Sequence, residues 1–458
     1  MITPTDSITL VPRRHQQERR QIPVLLIVGN LEGKELPPTG RFVTFERSLL
    51  VGRKPVTTEP GTSALILRDR MVSGHHAAIS RSGAAAEGFE LTDLGSTNGT
   101  IVDGVVARPT VKLRDGSLIF MGGHAAVFRV ISINEMSAIA SDLRHPLGPV
   151  ATTNPTLAVL CGKLRKLAEA GEEILLTGET GVGKEVYANA IHRASGRAGK
   201  FVAVNCAAIP RELVESELFG YAKGAHSQAA VSKPGIIEEA DGGTLFLDEI
   251  GEMAPELQTK LLRFTQDRLV APVGGVRARR IDARLIAATS RTTPPGKTSS
   301  QGLRIDLAAR LGAEAIRIPP LRERVEDLGS LVAYLMGERR KGFELAAFQA
   351  LCLHPWPGNV RELGKVVTSA EALARGAERI ATEHLPELIA AAPGRVRSSP
   401  GRRASRPPPQ AAELEELMRR FNGNMLRVAR ELDRKPALVY RWAKRFRLNA
   451  DDFRPKDE

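Results

Sequence analysis

The stretch ILLTGETGVGKE, residues 174–185, constrains the fold more than any other part of this chain. Ile174–Thr177 read as a short buried strand, the glycines at 178, 181 and 183 as a tight turn, and Lys184 as the opening of a helix. A G-x-x-x-x-G-K turn between strand and helix aims successive backbone N–H groups at one point, where the helix N-terminus adds its partial positive charge. That point suits phosphate oxygens, and the lysine ammonium reaches the terminal phosphates. Gly178, Glu179, Thr180, Gly181, Val182, Gly183 and Lys184 are therefore candidate nucleotide-binding residues. The position after the lysine, usually Ser or Thr, is Glu185.

A second half-site follows some way downstream. GGTLFLDEI, residues 242–250, reads as a buried strand ending in two adjacent carboxylates, which a purely structural strand end has little reason to carry. Asp248 is placed to hold Mg²⁺ and Glu249 to polarise an attacking water. The two halves together imply a bound nucleotide with Mg²⁺.

At 458 residues the chain is long for one core, since domains run to ~100–200 residues. Residues 22–132 hold many short apolar or alternating runs separated by Gly, Asn, Asp and Ser, the pattern of an all-β sandwich. Over 150–390, apolar strands alternate with helical patterns and give way to an all-helical end. Residues 391–410 form a basic linker, with five arginines and no acid in PGRVRSSPGRRASRPPPQ, and 411–448 return to helical periodicity. The formal net charge of +13 favours an anionic partner, nucleic acid ahead of membrane. Three separated cysteines imply neither disulfide framework nor metal cluster. With no signal-like opening and no apolar run near the ~18 residues of a span, the expectation is a cytoplasmic protein with no membrane partner.

The sandwich region carries VGR (51–53), VSGHHA (72–77) and DLGSTNGT (93–100), in an order and spacing that resemble the forkhead-associated (FHA) domain over about 110 residues. The resemblance implies a phosphothreonine-peptide site built from Arg53 for the phosphate, Ser73 as a hydroxyl donor and Asn98 for the peptide backbone. It also implies as partner a phosphothreonine protein or a Ser/Thr kinase. Gly74 stands where the family often has a polar phosphate neighbour.

From 150 to 390 the chain resembles the AAA+ module of bacterial enhancer-binding proteins, the activators of sigma-54 RNA polymerase. GETGVGKE is how that family writes its phosphate loop, Glu185 included. FVAVNCAAIP supplies Asn205, matching the asparagine that restrains the catalytic glutamate. DARLIAATS is the sensor strand, with Thr289 as expected and Ser290 in place of asparagine. LRIDLAARL makes Arg304 and Arg310 candidate arginine fingers, and WPGNVREL supplies the sensor Arg361 of a helical lid. Arginine fingers act across a subunit boundary, so the resemblance implies a homo-oligomeric ring, a hexamer.

The same family inserts a loop, consensus ESELFGHEKGAFTGA, whose tip touches sigma-54. This chain reads ESELFGYAKGAHSQA, with the tip Gly224, Ala225, His226, Ser227, Gln228 and Ala229. His226 replaces an apolar anchor, and Gln228 replaces a glycine. If position 228 needs a positive φ, a side chain there costs ~1–2 kcal/mol.

Residues 422–448 look like a Fis-type helix-turn-helix. Val439, Ala443 and Phe446 form an inward stripe, which leaves Ala437, Tyr440, Arg441 and Lys444 for DNA. Asp433 stands where glycine is usual in the turn.

Two readings stay open. One is an ATP-hydrolysing, DNA-binding regulator of the sigma-54 activator type, acting at upstream promoter sites under FHA control. The other is a DNA-binding repressor or scaffold that uses nucleotide only to set its oligomeric state. A plain phosphopeptide adaptor has no use for Asp248, Glu249, Arg304 and Arg310.

Overall fold

The computed structural model describes residues 21–33, 41–57, 59–82, 88–225, 229, 231–290, 302–312, 314–338, 341–390, 411–421, 425–432, 439, 442–443, 446 and 448–453. The chain divides into two units, Met1–Arg395 and Val396–Glu458.

The first unit opens with strands β1 (Gln21–Asn30), β2 (Phe42–Thr44), β3 (Ser48–Gly52), β4 (Thr62–Ile66), β5 (Ala77–Ser82), β6 (Gly88–Asp93), β7 (Thr100–Val102), β8 (Val105–Val106), β9 (Thr110–Leu113), β10 (Leu118–Met121) and β11 (His124–Ser132). They form two sheets, in the orders β2-β1-β11-β10-β7-β8 and β4-β3-β5-β6-β9. The sheets close on a core that includes Leu25, Leu49, Val51, Ile79, Leu91, Ile119 and Phe128. This is the all-β sandwich that the alternating runs predict.

The strand β1, QIPVLLIVGN, is buried from Pro23 to Gly29 without alternation. A strand reads this way when both of its faces are covered. Leu25 and Ile27 enter the sandwich core. Val24 and Leu26 pack with Ile139 and Leu143 of the helix Ile133–Arg144. Val28 joins a third cluster built largely from residues 321–389. The strand β10 is shared in the same manner, Ile119 and Met121 inward, Leu118 and Phe120 outward. The helix Ile133–Arg144 starts at a capping box, where Glu135 N donates to Ser132 Oγ at 3.2 Å and Ser132 N donates to Glu135 Oε2 at 2.7 Å.

Next comes a parallel sheet of five strands, in the order Phe201–Asn205, Thr244–Asp248, Arg284–Thr289, Ile174–Thr177 and Ile316–Arg317. Asn205 stands opposite Asp248 and Thr177 opposite Thr289, so the loops after these strands emerge at one edge. Crevices at the carboxyl ends of such strands are where open α/β sheets bind ligands.

The helices Leu328–Met336, Leu345–Leu353 and Asn359–Leu373 form the lid around Trp356, Leu363 and Val367. The lid shares its core with Val28, Leu118, Phe120, Ala125 and Val127 of the sandwich. Gly329 lies so close to β1 that a Cβ there would stand 2.1 Å from the Val28 carbonyl oxygen. Phe343 N donates to Leu31 O at 2.6 Å. Arg129 Nε donates to Glu326 Oε1 at 2.6 Å, and the Glu326 side chain is fully buried.

In the second unit, the helices Ala411–Arg420 and Met425–Glu431 pack through Leu414, Met418, Met425, Val428 and Ala429. Val439 and Ala443 are buried in the same cluster, as the inward stripe predicts. Among the described residues, no helix is long and apolar enough to cross a membrane.

Candidate functional site

The strand Ile174–Thr177 delivers the chain into the turn 178–183, and the helix Lys184–Ala194 follows. Two glycines in the turn are required by geometry. Gly183 has φ 101° at the helix N-cap. Gly181 has φ 82°, and a Cβ there would lie 2.4 Å from the Gly358 carbonyl of the lid. Lys184 is buried, and its Nζ donates to Gly178 O at 2.9 Å.

Asp248 ends the strand Thr244–Asp248, and Glu249 follows it in the turn. Burial pushes the Asp248 carboxyl up, and the nearby Lys184 opposes the shift. A half-desolvated carboxylate of this kind gains from a cation. Glu249 sits at φ 51°, ψ 46°, a left-handed backbone uncommon outside glycine. Its Oε1 lies 3.7 Å from Lys184 Nζ. Its Oε2 accepts from both the backbone N and the hydroxyl of Ser290, each at 2.9 Å.

Ser290, noted in the sequence only as a replaced asparagine, is thus a direct partner of the candidate catalytic carboxylate. Asn205 is engaged with its own chain, Oδ1 accepting from Ala207 N at 3.0 Å. Thr289 is buried at the end of its strand, and Glu185 opens the first turn of the helix.

A cavity of about 560 Å³ is lined by Glu179, Thr180, Ser290, Gly358, Arg361 and Lys365, among others. The structure therefore brings Arg361 to the phosphate turn. Arg304 and Arg310 are not in the lining. Arg304 pairs with Asp306 at 2.8 Å, and Arg310 Nη2 donates to Thr265 O at 3.2 Å.

Sequence reasoning missed the lid's grip on the turn. Arg322 donates to Glu179 through both guanidinium ends and holds the Glu179 carboxyl down to about 2. Asn359 Nδ2 donates to Thr180 O at 3.1 Å, and Arg324 Nη2 donates to Val182 O at 2.8 Å. These partners lie more than a hundred residues from the turn, so no local signal marks them.

At the sandwich loops, Arg53 N donates to Ser73 O at 2.8 Å and the Arg53 side chain is exposed. Ser73 Oγ accepts from Thr97 N at 3.0 Å, and Asn98 Nδ2 donates to Met71 O at 2.7 Å. His76, fully buried, accepts from Ser73 N at 3.1 Å and bridges to Gly99 O at 3.3 Å. Burial holds its pKa below the ordinary value, so the neutral ring braces both loops. Arg53, Ser73 and Asn98 are thus gathered on adjoining loops.

In the inserted loop, Gly224 N donates to Ala229 O at 2.9 Å, and Ala225 rests against Gly274. The expectations on His226, Ser227 and Gln228 lie outside the described residues. So do those on Ala437, Tyr440, Arg441 and Lys444.

Comparison with known proteins gives three family matches: a sigma-54 interaction domain over residues 150–317, an FHA domain over 49–122 and an AAA+ ATPase lid domain over 322–400. Transcriptional regulatory protein GlrR of Escherichia coli K12 is 38% identical over 328 residues, 70% of this chain and 72% of that protein. Transcriptional regulatory protein XylR of Pseudomonas putida is 40% identical over 318 residues, 64% of this chain and 56% of its own length. The crystal structure of NtrX from Brucella abortus in complex with ATP aligns at 33% identity and TM-score 0.48, over 68% of this chain and 72% of that one. The chain belongs to the family of transcriptional regulators built on the sigma-54 interaction domain, and it carries an FHA domain and an AAA+ lid.

Proposed function

We propose that this member of the sigma-54 regulator family hydrolyses ATP to regulate transcription from DNA-bound rings in the cytoplasm, under control of a phosphothreonine ligand of its FHA domain. The observation that carries the reading is the meeting of Lys184, Glu249, Ser290 and Arg361 at one cleft edge. The turn 178–183 and Lys184 bind the nucleotide phosphates, Thr289 and Glu185 flank them, and Arg361 neutralises charge from the lid side. Asp248 would hold Mg²⁺, which would supply further neutralisation of phosphate charge. Glu249 takes the proton side of a water's attack, held in place by Ser290, with Asn205 as a further restraint. Arg304 and Arg310, outside the cleft of their own chain, serve a neighbouring copy in a hexamer.

Arg53, Ser73 and Asn98 take the phosphothreonine of a partner protein or kinase. Ala437, Tyr440, Arg441 and Lys444 contact DNA at upstream promoter sites, and Gly224–Ala229 face sigma-54 RNA polymerase. The test is open-complex formation on a sigma-54 promoter with purified protein and ATP. Hydrolysis and opening, both abolished by Glu249→Gln, are expected. Hydrolysis without opening would favour a repressor or scaffold that uses nucleotide to set its assembly. The replacement of the expected Phe and Gly by His226 and Gln228 in the tip is what keeps that second reading alive.

A further inference from the structure

We propose that Lys365 of the lid is a second cation for the terminal phosphate of ATP, one helical turn beyond Arg361; the proposal rests on the nucleotide reading above. It makes the site selective for triphosphate over diphosphate. Both residues belong to the helix Asn359–Leu373. Side chains four apart share one face of a helix, about 6 Å apart along its axis. Arg361 and Lys365 accordingly line one cavity, of about 560 Å³, with Glu179, Thr180, Ser290 and Glu362.

The start of this helix is anchored to the phosphate turn. Asn359 Nδ2 donates to Thr180 O at 3.1 Å, and a Cβ added at Gly181 would stand 3.1 Å from the Arg361 Cβ. Lys365 is thus carried on an element fixed to the turn. Ser290 marks which end of the nucleotide the cavity serves. Its hydroxyl bonds the Glu249 carboxylate at 2.9 Å, so the cavity lies where the terminal phosphate reacts.

The charges in the lining are not equally available. Glu179 is taken by both guanidinium ends of Arg322, and Glu362 accepts from Gly358 N at 2.7 Å. Arg361 and Lys365 are exposed, and among the described residues neither side chain takes a hydrogen bond or ion pair. The unengaged charge of the lining is therefore positive. Like charges four apart weaken a helix, and an anion shared between them replaces that repulsion with attraction. The terminal phosphate is such an anion, and ADP lacks it.

The experiment measures, by calorimetry, the binding of a non-hydrolysable ATP analogue and of ADP to the full-length chain with Mg²⁺ present. Lys365→Ala is expected to weaken the analogue roughly tenfold, the worth of one charge-assisted hydrogen bond, and to leave ADP unchanged. Lys365→Arg should restore the preference for the analogue. The nucleotide-free melting temperature of both variants should overlay wild type, because the side chain is exposed. Unchanged analogue affinity in Lys365→Ala, an equal loss for both nucleotides, or a lowered melting temperature overturns the role of Lys365 alone. Failure of wild type to bind either nucleotide overturns the nucleotide reading, and the proposal with it. Lys184→Ala, expected to weaken both nucleotides, is the control that ties binding to the phosphate turn.

Discussion

Ser290 presents both its backbone N–H and its hydroxyl to one oxygen of Glu249, each at 2.9 Å. The other oxygen of the same carboxylate lies 3.7 Å from Lys184 Nζ. Glu249 is thereby strung between the sensor strand and the phosphate turn, on a backbone in the left-handed region.

Ser290→Ala removes one of those hydrogen bonds and leaves the backbone one. Loss of a hydrogen bond to a charged group costs about 1.5–3 kcal/mol, so kcat for ATP hydrolysis should fall roughly 10- to 100-fold. The KM for ATP should change little, because the serine acts through Glu249. An unchanged kcat in a steady-state assay would remove Ser290 from the machinery.

Gly329→Ala places a Cβ 2.1 Å from the Val28 carbonyl oxygen, where neither backbone can retreat without parting sandwich from lid. Overpacking of this kind costs about 1–3 kcal/mol. The expected outcome is a lower melting temperature together with faster proteolysis between the two. A melting curve that overlays wild type would mean that the close approach is dispensable.

Glu326→Gln leaves Arg129 facing a neutral partner in the most buried ion pair that joins sandwich and lid. Losing a hydrogen bond between charged groups costs about 1.5–3 kcal/mol, and Arg129, partly exposed and still paired with Asp115 at 3.1 Å, puts this case at the low end. Denaturant titration should show that loss. The variant also loosens a link that runs through 324–326 to Val182 of the phosphate turn, since Arg324 holds the Val182 carbonyl at 2.8 Å. A change in nucleotide affinity should therefore accompany the destabilisation.

Asp327 carries a pH signature. Burial pushes its pKa up to about 6, against the opposing effects of Arg324 and the hydrogen bond from Thr152. A carboxyl whose folded pKa exceeds its unfolded value binds more protons in the fold. Its contribution favours the folded state below that value and is lost as pH rises through about 6. The wild-type melting temperature, followed from about pH 4 to 6.5, between the unfolded and folded values, should carry this downward component, and Asp327→Asn should lack it. Parallel curves for the two proteins would show that the carboxyl does not titrate there.

Much of the fold was legible in the sequence, because its signals are local. The strand and glycine turn of 174–185, the paired acids of 248–249 and the alternation of the sandwich strands each depend on neighbours in the chain. The two-sided burial of β1 was legible in principle as well, in the unbroken apolar run from Pro23 to Gly29. What covers its outer face was not, because apolar periodicity reports burial and never identity of the partner.

The candidate site divides in the same way. The sequence by itself determined the phosphate turn, the acids beside it and the loops that carry Arg53, Ser73 and Asn98, since backbone geometry and residue type suffice for these. Only the tertiary structure decided that Ser290 bonds to Glu249, that Arg322 grips Glu179 and that Arg129 is matched by Glu326. Ion pairs and side-chain hydrogen bonds form wherever the fold brings donor to acceptor. A glutamate that will be buried 197 residues from its arginine reads no differently along the chain from one left in water.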